Sequence, residues 1–359
     1  MLTLTWKVWI FRQAGRHLPE YNEYKKERGK SFIELLDDPR DVAEVTMQPI
    51  RRYDVDAAIL FSDILVILQA MDFEVTMPGG VGITVPSPLV DVADFHLRVP
   101  KSVNVRDKLS HVIQAVTLIK EELRGKVPLI GFSAAPWTLM FYLVGGSSKK
   151  NQGVASLWLK NHPDESQQLL DLLSTIIIDY LSAQVEAGAD LLQVFEAMGE
   201  YITEEDFNRW ALPTLKRIAT ELKAKYPSVP LLVFPRGASY SLEALQSLGY
   251  DVVTLDTKTD RKGARQRLRT EAEKRSEVKV ASVQGNLDVS LLEGGGSSSN
   301  TPETVYSATR TMLLELGPQQ LIANLGEGLT GKEDPVLVKA FVDAVHSIST
   351  ELIEGAANS

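Results

Sequence analysis

The sequence predicts an α/β fold, a single (β/α)8 barrel, from three observations. Short apolar, β-branched runs recur through the 359 residues; most are followed by a polar loop and a longer segment with helical spacing; and there are eight of them, the number that closes a β/α barrel. In order, the expected strands are Val8 to Phe11, Ala57 to Phe61, Val127 to Phe132, Asp190 to Phe195, Pro230 to Phe234, Asp251 to Leu255, Val278 to Val283 and Gln320 to Leu325. Their near-continuous apolar character fits strands buried on both faces. Helical spacing marks Pro39 to Arg52, Val105 to Leu123, Ser166 to Ala187, Glu204 to Lys225, Pro302 to Leu316 and Pro335 to Ile353. Two stretches break the rhythm: Met77 to Pro88 reads as a hairpin or loop after strand two, and Gly294 to Ser299 as a flexible connection. Barrel units continue on both sides of each, so residues 1–359 read as one domain. An open doubly wound sheet is the alternative, weakened because no strand runs into a GxGxxG or Walker-type phosphate loop.

Composition narrows the function. A net charge of -9 argues against a general binder of nucleic acid or anionic membrane, which needs a surplus of Lys and Arg. The absence of cysteine excludes disulfides, thiolate nucleophiles, iron–sulfur clusters and thiolate zinc sites, and suits a reducing cytoplasm. No apolar run reaches the roughly 18 residues of a membrane span. The apolar start, Met1 to Phe11, has Lys7 as its one basic residue and no small-residue cleavage site, so it reads as a strand rather than a signal peptide. The histidines at 17, 96, 111, 162 and 346 show no metal-ligand spacing, and no GxSxG elbow occurs. No metal is expected.

Barrel active sites lie at the carboxyl ends of the strands. Those positions hold Arg12 and Arg16, Asp63, Tyr142, Glu196, Arg236, Asp256, Asn286 with Asp288, Asn324 and Glu327. From Arg12 to Lys30, six basic residues face three acidic ones, a local charge of +3 on an acidic chain. Two readings stand: a solvated basic loop paired with its own glutamates, or a carboxylate-binding loop whose Gly15 turns the backbone so that both arginines aim inward. Asp63 reads either as a pocket carboxylate or as a helix N-cap. Tyr142 reads either as a pocket donor or as the wet edge of an amphipathic helix. Together these residues suit a pocket for a carboxylate-rich ligand.

Five ordered strings then carry a resemblance. They are Arg12-Gln13-Ala14-Gly15-Arg16-His17-Leu18-Pro19-Glu20, Phe61-Ser62-Asp63-Ile64-Leu65, Gly131-Phe132-Ser133-Ala134-Ala135-Pro136-Trp137-Thr138-Leu139-Met140, Gln284-Gly285-Asn286-Leu287-Asp288 and Ile322-Ala323-Asn324-Leu325-Gly326. The chain resembles the uroporphyrinogen decarboxylase family, of eukaryotic type, over nearly its whole length. The resemblance implies a (β/α)8 barrel forming a homodimer with facing clefts, and the cofactor-free removal of four acetate carboxyls from uroporphyrinogen to give coproporphyrinogen. By the same resemblance, Arg12 and Arg16 would hold substrate carboxylates, with Lys25 where the family often has another base. Asp63 would accept hydrogen bonds from the pyrrole N–H groups of the domed macrocycle, and Tyr142 would lie beside the departing acetate. Ala14 and Phe132, within the first and third strings, would line the substrate pocket. Arginine has a pKa above about 12, so Arg12 is read as an electrostatic partner before it is read as an acid.

Three departures from the family pattern stand out. Ala197 takes the place of a substrate-touching serine, a loss of one neutral hydrogen bond worth about 0.5–1.5 kcal/mol. Glu327 replaces the histidine that usually follows Asn-Leu-Gly, and an ionised glutamate about 4 Å from a substrate carboxylate would cost on the order of 4 kcal/mol at an effective dielectric of about 20. That penalty is avoided if Glu327 is protonated or turns toward Arg12 or Arg236. Only Met1 to Lys7 precede Val8, so the family's amino-terminal helix is expected to be missing. Besides an active decarboxylase, the residues leave room for a degraded paralogue that binds porphyrinogens or dimerises without turnover. A corrinoid-linked methyltransferase shares the barrel, but such enzymes usually need a cysteine zinc ligand that this chain lacks.

Overall fold

Eight short strands build the sheet: Lys7–Val8 (β1), Ala58–Ile59 (β2), Leu129–Ala134 (β3), Leu191–Glu196 (β4), Leu231–Pro235 (β5), Val252–Thr254 (β6), Ser282–Gln284 (β7) and Leu321–Ala323 (β8). The computed structural model describes residues 6–78, 82–147, 152–275, 278–295, 300–317 and 320–357. All neighbouring strands run parallel, in the order β1-β8-β7-β6-β5-β4-β3-β2. Every residue of β2, β3, β5 and β6 is buried, as strands covered on both faces require. Each of the eight expected strands overlaps an observed one, giving a (β/α)8 barrel.

The seam between β1 and β2 is held by Asp56. Its backbone N–H donates to the Val8 carbonyl at 2.8 Å, and its carboxylate accepts the Val8 N–H at 2.8 Å. Lys7 Nζ at 3.0 Å and His346 Nε2 at 3.0 Å converge on the same carboxylate. The hydrogen bond to Asp56 is the main force raising the His346 pKa above its usual value; burial works against it. A raised pKa in the folded state means that this stabilisation is complete below about 6.5 and is lost as pH rises through the raised value. His346→Asn is therefore expected to cost about 1.5 kcal/mol at pH 5.5 and distinctly less at pH 9, followed by thermal unfolding at both pH values. An equal loss at both would refute the charged pair.

The expected helices are present, with two differences. Val105 to Leu123 divides at Leu109 into Val105–Lys108 and Ser110–Leu123. Glu204 to Lys225 is helical throughout but widens into a π turn over Phe207–Ala211, just before Pro213, which cannot donate an ordinary helical hydrogen bond. The expected hairpin is anchored by paired backbone hydrogen bonds between Thr76 and Thr84, at 2.9 and 2.8 Å; its residues 79–81 lie outside the described residues. Residues 1–5 of the apolar start and 296–299 of the glycine–serine connection lie outside them too. Among the described residues, no helix is long and apolar enough to cross a membrane.

Candidate active site at the carboxyl ends of the strands

The chain leaves β1 through Phe11 into a loop whose backbone is held in an uncommon shape. Arg12, Gly15 and Arg16 all take positive φ, at 60°, 77° and 50°. For arginine that conformation costs roughly 1–2 kcal/mol, so neighbouring structure must impose it. Buried Gln13 does so: its Oε1 accepts the Ile10 N–H at 3.1 Å and its Nε2 donates to the Ala57 carbonyl at 2.9 Å, tying the loop to β2. Gly15 is needed twice, for its φ and because a Cβ there would meet the Phe61 ring at 3.0 Å. Both guanidiniums lie near enough for their charges to act on Asp63.

Asp63 follows β2. Its Oδ1 accepts the Leu65 N–H at 2.7 Å, so it shapes the start of the next turn while also facing the arginines. The expected helix N-cap is corrected: the next helix, Val66–Ala70, has Leu65 at its cap position and no side-chain cap, so Asp63 holds the turn before it. Burial pushes its pKa up to about 6, and the Leu65 N–H, Arg12 and Arg16 pull against that rise. Arg12 is exposed at the open mouth; the protein around it, then the charges of Arg16 and Arg236, lower its pKa to about 10, with Asp63 and Tyr142 opposing. Tyr142 sits on the helix Pro136–Gly145, every residue of which is buried, so the alternative of a wet amphipathic helix is corrected.

Aromatic rings line the same end of the barrel. Phe11 stacks on Phe234 at 5.3 Å, and Phe195 meets Phe11 at 5.3 Å and Phe132 at 5.6 Å edge to face. Gln184 clamps Phe132 from behind, accepting its N–H at 2.9 Å and donating to its carbonyl at 3.0 Å. The sequence reading named only Phe132, although five of the eight expected strands end in phenylalanine, a signal sufficient to find the rest.

The other strand-end residues divide. Arg236 donates through one terminal nitrogen to the Ala197 carbonyl at 3.1 Å, and its guanidinium lies 3.4 Å from Glu200 and 3.9 Å from Glu327. Glu327 thus turns toward Arg236, one of the two partners expected for it. Glu196, a candidate pocket residue in sequence, is fully buried behind the wall; it accepts the Thr138 hydroxyl at 2.6 Å and the Met198 N–H at 3.2 Å, and desolvation pushes its pKa up to about 7. Asp256, Asn286 and Asn324 spend their side chains on loop backbone: Gly237 N–H to Asp256 at 2.9 Å, Asn286 to the Asp256 carbonyl at 2.6 Å, and Phe11 N–H to Asn324 at 3.1 Å. Asp288 caps the short helix Val289–Leu292.

The basic segment also divides. Arg28 and Lys30 reach buried Asp41 at 2.8 and 2.5 Å rather than the segment's own glutamates, which corrects the pairing of the solvated-loop reading, and Lys25 lies partly exposed on the helix Pro19–Arg28. Only Arg12 and Arg16 behave as the carboxylate-binding reading expects. Ala14 is buried in the hydrophobic core, and Ala197 keeps the backbone role described above in place of a hydroxyl contact. One residue escaped the sequence reading altogether: at Gly328, after β8, a Cβ would lie 2.7 Å from Arg12 Cδ and 3.0 Å from its Nε. Among the described residues, no group of three or more histidine or acidic side chains is set to hold a metal ion.

The family model for uroporphyrinogen decarboxylase matches residues 6–348. The uroporphyrinogen decarboxylase of Salinibacter ruber is 43% identical over 345 residues, covering 96% of this chain and 92% of that protein. That of Danio rerio is 42% identical over 352 residues, covering 97% and 90%. Among solved structures, a methyltransferase from Methanosarcina mazei superposes with a TM-score of 0.72 at 18% identity, covering 96% of this chain and 94% of that one, a likeness of fold alone.

Proposed function

The chain belongs to the uroporphyrinogen decarboxylase family, and we propose that it is a carboxy-lyase that removes the four acetate carboxyls of uroporphyrinogen III as CO2 to give coproporphyrinogen III, in haem and porphyrin biosynthesis. The observation that carries the residue-level reading is the partly buried Asp63 carboxyl, within the electrostatic reach of Arg12 and Arg16 at the end of the barrel that carries the aromatic wall. An anion-lined macrocycle needs those parts together: cations for its carboxylates, apolar surface for its rings, and one central acceptor for its pyrrole N–H groups.

In this reading, protonation of a pyrrole carbon makes the ring an electron sink. The bond to the acetate carboxyl breaks, CO2 leaves, and the electron pair returns to the ring; a proton on the exocyclic carbon completes the methyl group as the ring proton departs. Asp63, partly buried at the strand end, stabilises the intermediate cation. Arg12 and Arg16 hold substrate carboxylates, with Tyr142 beside the reacting acetate and Phe132, Ala197 and Glu327 around the pocket; Ala14 supports the loop from the core side, and Lys25 stays outside on its helix. Glu327 is compatible with an anionic substrate because Arg236 lies beside it. The reading further places residues 1–359 in one barrel domain, as a cytoplasmic homodimer with facing clefts, which sedimentation of the purified protein tests.

Anaerobic turnover of uroporphyrinogen III, with products separated by carboxyl number, tests the activity. Stepwise conversion to the four-carboxyl product is expected. A folded sample that converts none would overturn it.

A further inference from the structure

Arg236 is held more firmly than an ordinary surface arginine. It follows β5 directly, and its N–H donates to the Glu196 carbonyl at 2.9 Å. Glycines lock the loops on either side: a Cβ at Gly199 would meet the Arg236 carbonyl at 2.7 Å, and one at Gly237 would meet the Glu200 nitrogen at 2.6 Å. Thr138 completes the frame, accepting the Ala197 N–H at 2.8 Å while donating to buried Glu196, so the Ala197 carbonyl that receives Arg236 is itself fixed. The guanidinium is a third exposed and stays at the pocket mouth, near enough to act on Arg12.

Its acidic neighbours are poorly matched to it. Glu327, at 3.9 Å, is beyond hydrogen-bond distance, and Glu200, at 3.4 Å, is at the limit. Both are over a third exposed, and exposed pairs of loose geometry contribute little. A ligand carboxylate seated squarely on the guanidinium fork would form the stronger contact.

Resting on the decarboxylase reading, we propose that Arg236 is a further anchor for a substrate carboxylate, on the β4–β5 side of the mouth, and that Glu327 is its resident counter-ion, displaced when the substrate arrives. Glu327 then tunes affinity at this corner: it partly offsets the charge of the empty arginine, and each ligand carboxylate must compete with it. The pair acts on binding, whereas Asp63 acts on the reacting ring.

Two readouts test this on the purified full chain: fluorescence titration with uroporphyrin, the oxidised form that is not decarboxylated, and steady-state turnover of uroporphyrinogen III. Arg236→Gln is expected to raise both Kd and KM about tenfold, the loss of one charge-assisted contact, with kcat changed less than threefold. Arg236→Lys, which keeps the charge but loses the fork, falls between, and Glu327→Gln binds about threefold more tightly than wild type. Unchanged Kd in folded Arg236→Gln, or a fall in kcat at constant KM, overturns the anchor. Weaker binding by Glu327→Gln overturns the counter-ion. If Arg236→Gln does not fold, Arg236→Lys and Glu327→Gln still decide. A wild-type protein that binds uroporphyrin with this pattern of variants yet releases no CO2 sinks the decarboxylase reading alone; turnover with binding insensitive to both positions sinks this inference alone.

Discussion

Asp63→Asn is expected to lower kcat by about 10²–10³ while raising the melting temperature above pH 6. The activity loss follows from removing a preorganised charge at the point where positive charge develops, the kind of contact whose deletion costs that much elsewhere. The stability gain follows from the sign of the pKa shift. Burial places the folded-state pKa at about 6, above the ordinary carboxylate value, so the fold favours the neutral acid. That contribution is complete below about pH 4 and disappears as pH rises through 6. Asparagine never ionises, so the variant keeps it, and its advantage over wild type fades as pH falls from about 6 to about 4, below which wild-type Asp63 is protonated in both states. Opposite movement of activity and stability marks a site shaped for function at the expense of the fold. Retention of kcat within tenfold, or a lower melting temperature at pH 8, would contradict this account.

Gly328→Ala is expected to lower kcat/KM by up to about 10² without unfolding the protein. Its φ is not in the left-handed region, so alanine meets no backbone strain there; the obstacle is Arg12 Cδ at 2.7 Å. The arginine must move aside by several tenths of an ångström or more, and a misplacement of about 1 Å in a positioned group costs about that factor. Circular dichroism and thermal melting should remain near wild type while uroporphyrin binding weakens. Normal turnover by Gly328→Ala would show that Arg12 tolerates displacement and is a less exacting partner than its close approach to Gly328 suggests.

Much of this was legible in the residues. The strands could be read because a barrel strand is apolar on both faces, whereas the Arg12–Arg16 loop stayed open between two readings until the family resemblance favoured one. Helix Arg261–Lys274 could not, because it buries only Ala264, Arg265 and Leu268. An arginine occupies the core-facing position there, donating to the Leu316 carbonyl at 2.8 Å, so the apolar period is missing. The function of Gly328 was likewise hidden: its constraint comes from a side chain more than 300 positions away in sequence. Glu196 misled because a carboxylate at a strand end looks the same whether it opens into the pocket or hydrogen-bonds behind it.

The Asp56 seam carries a consequence for how the molecule is made. β1 pairs with β8 through Lys7 with Ile322 and Val8 with Ala323, and Trp6 donates to Ser349, so the first strand emerges from the ribosome with its partners not yet synthesised. At about 5–20 residues per second that interval is roughly 15–60 s. During it, β1 and the growing sheet each present an unpaired edge to the cell. The strand is only two residues long, with a charged lysine beside the valine, and so offers little for another chain to join. Brevity at β1 protects the nascent chain, and the grip of Asp56, only 48 positions further along, supplies early the attachment that so short a strand cannot.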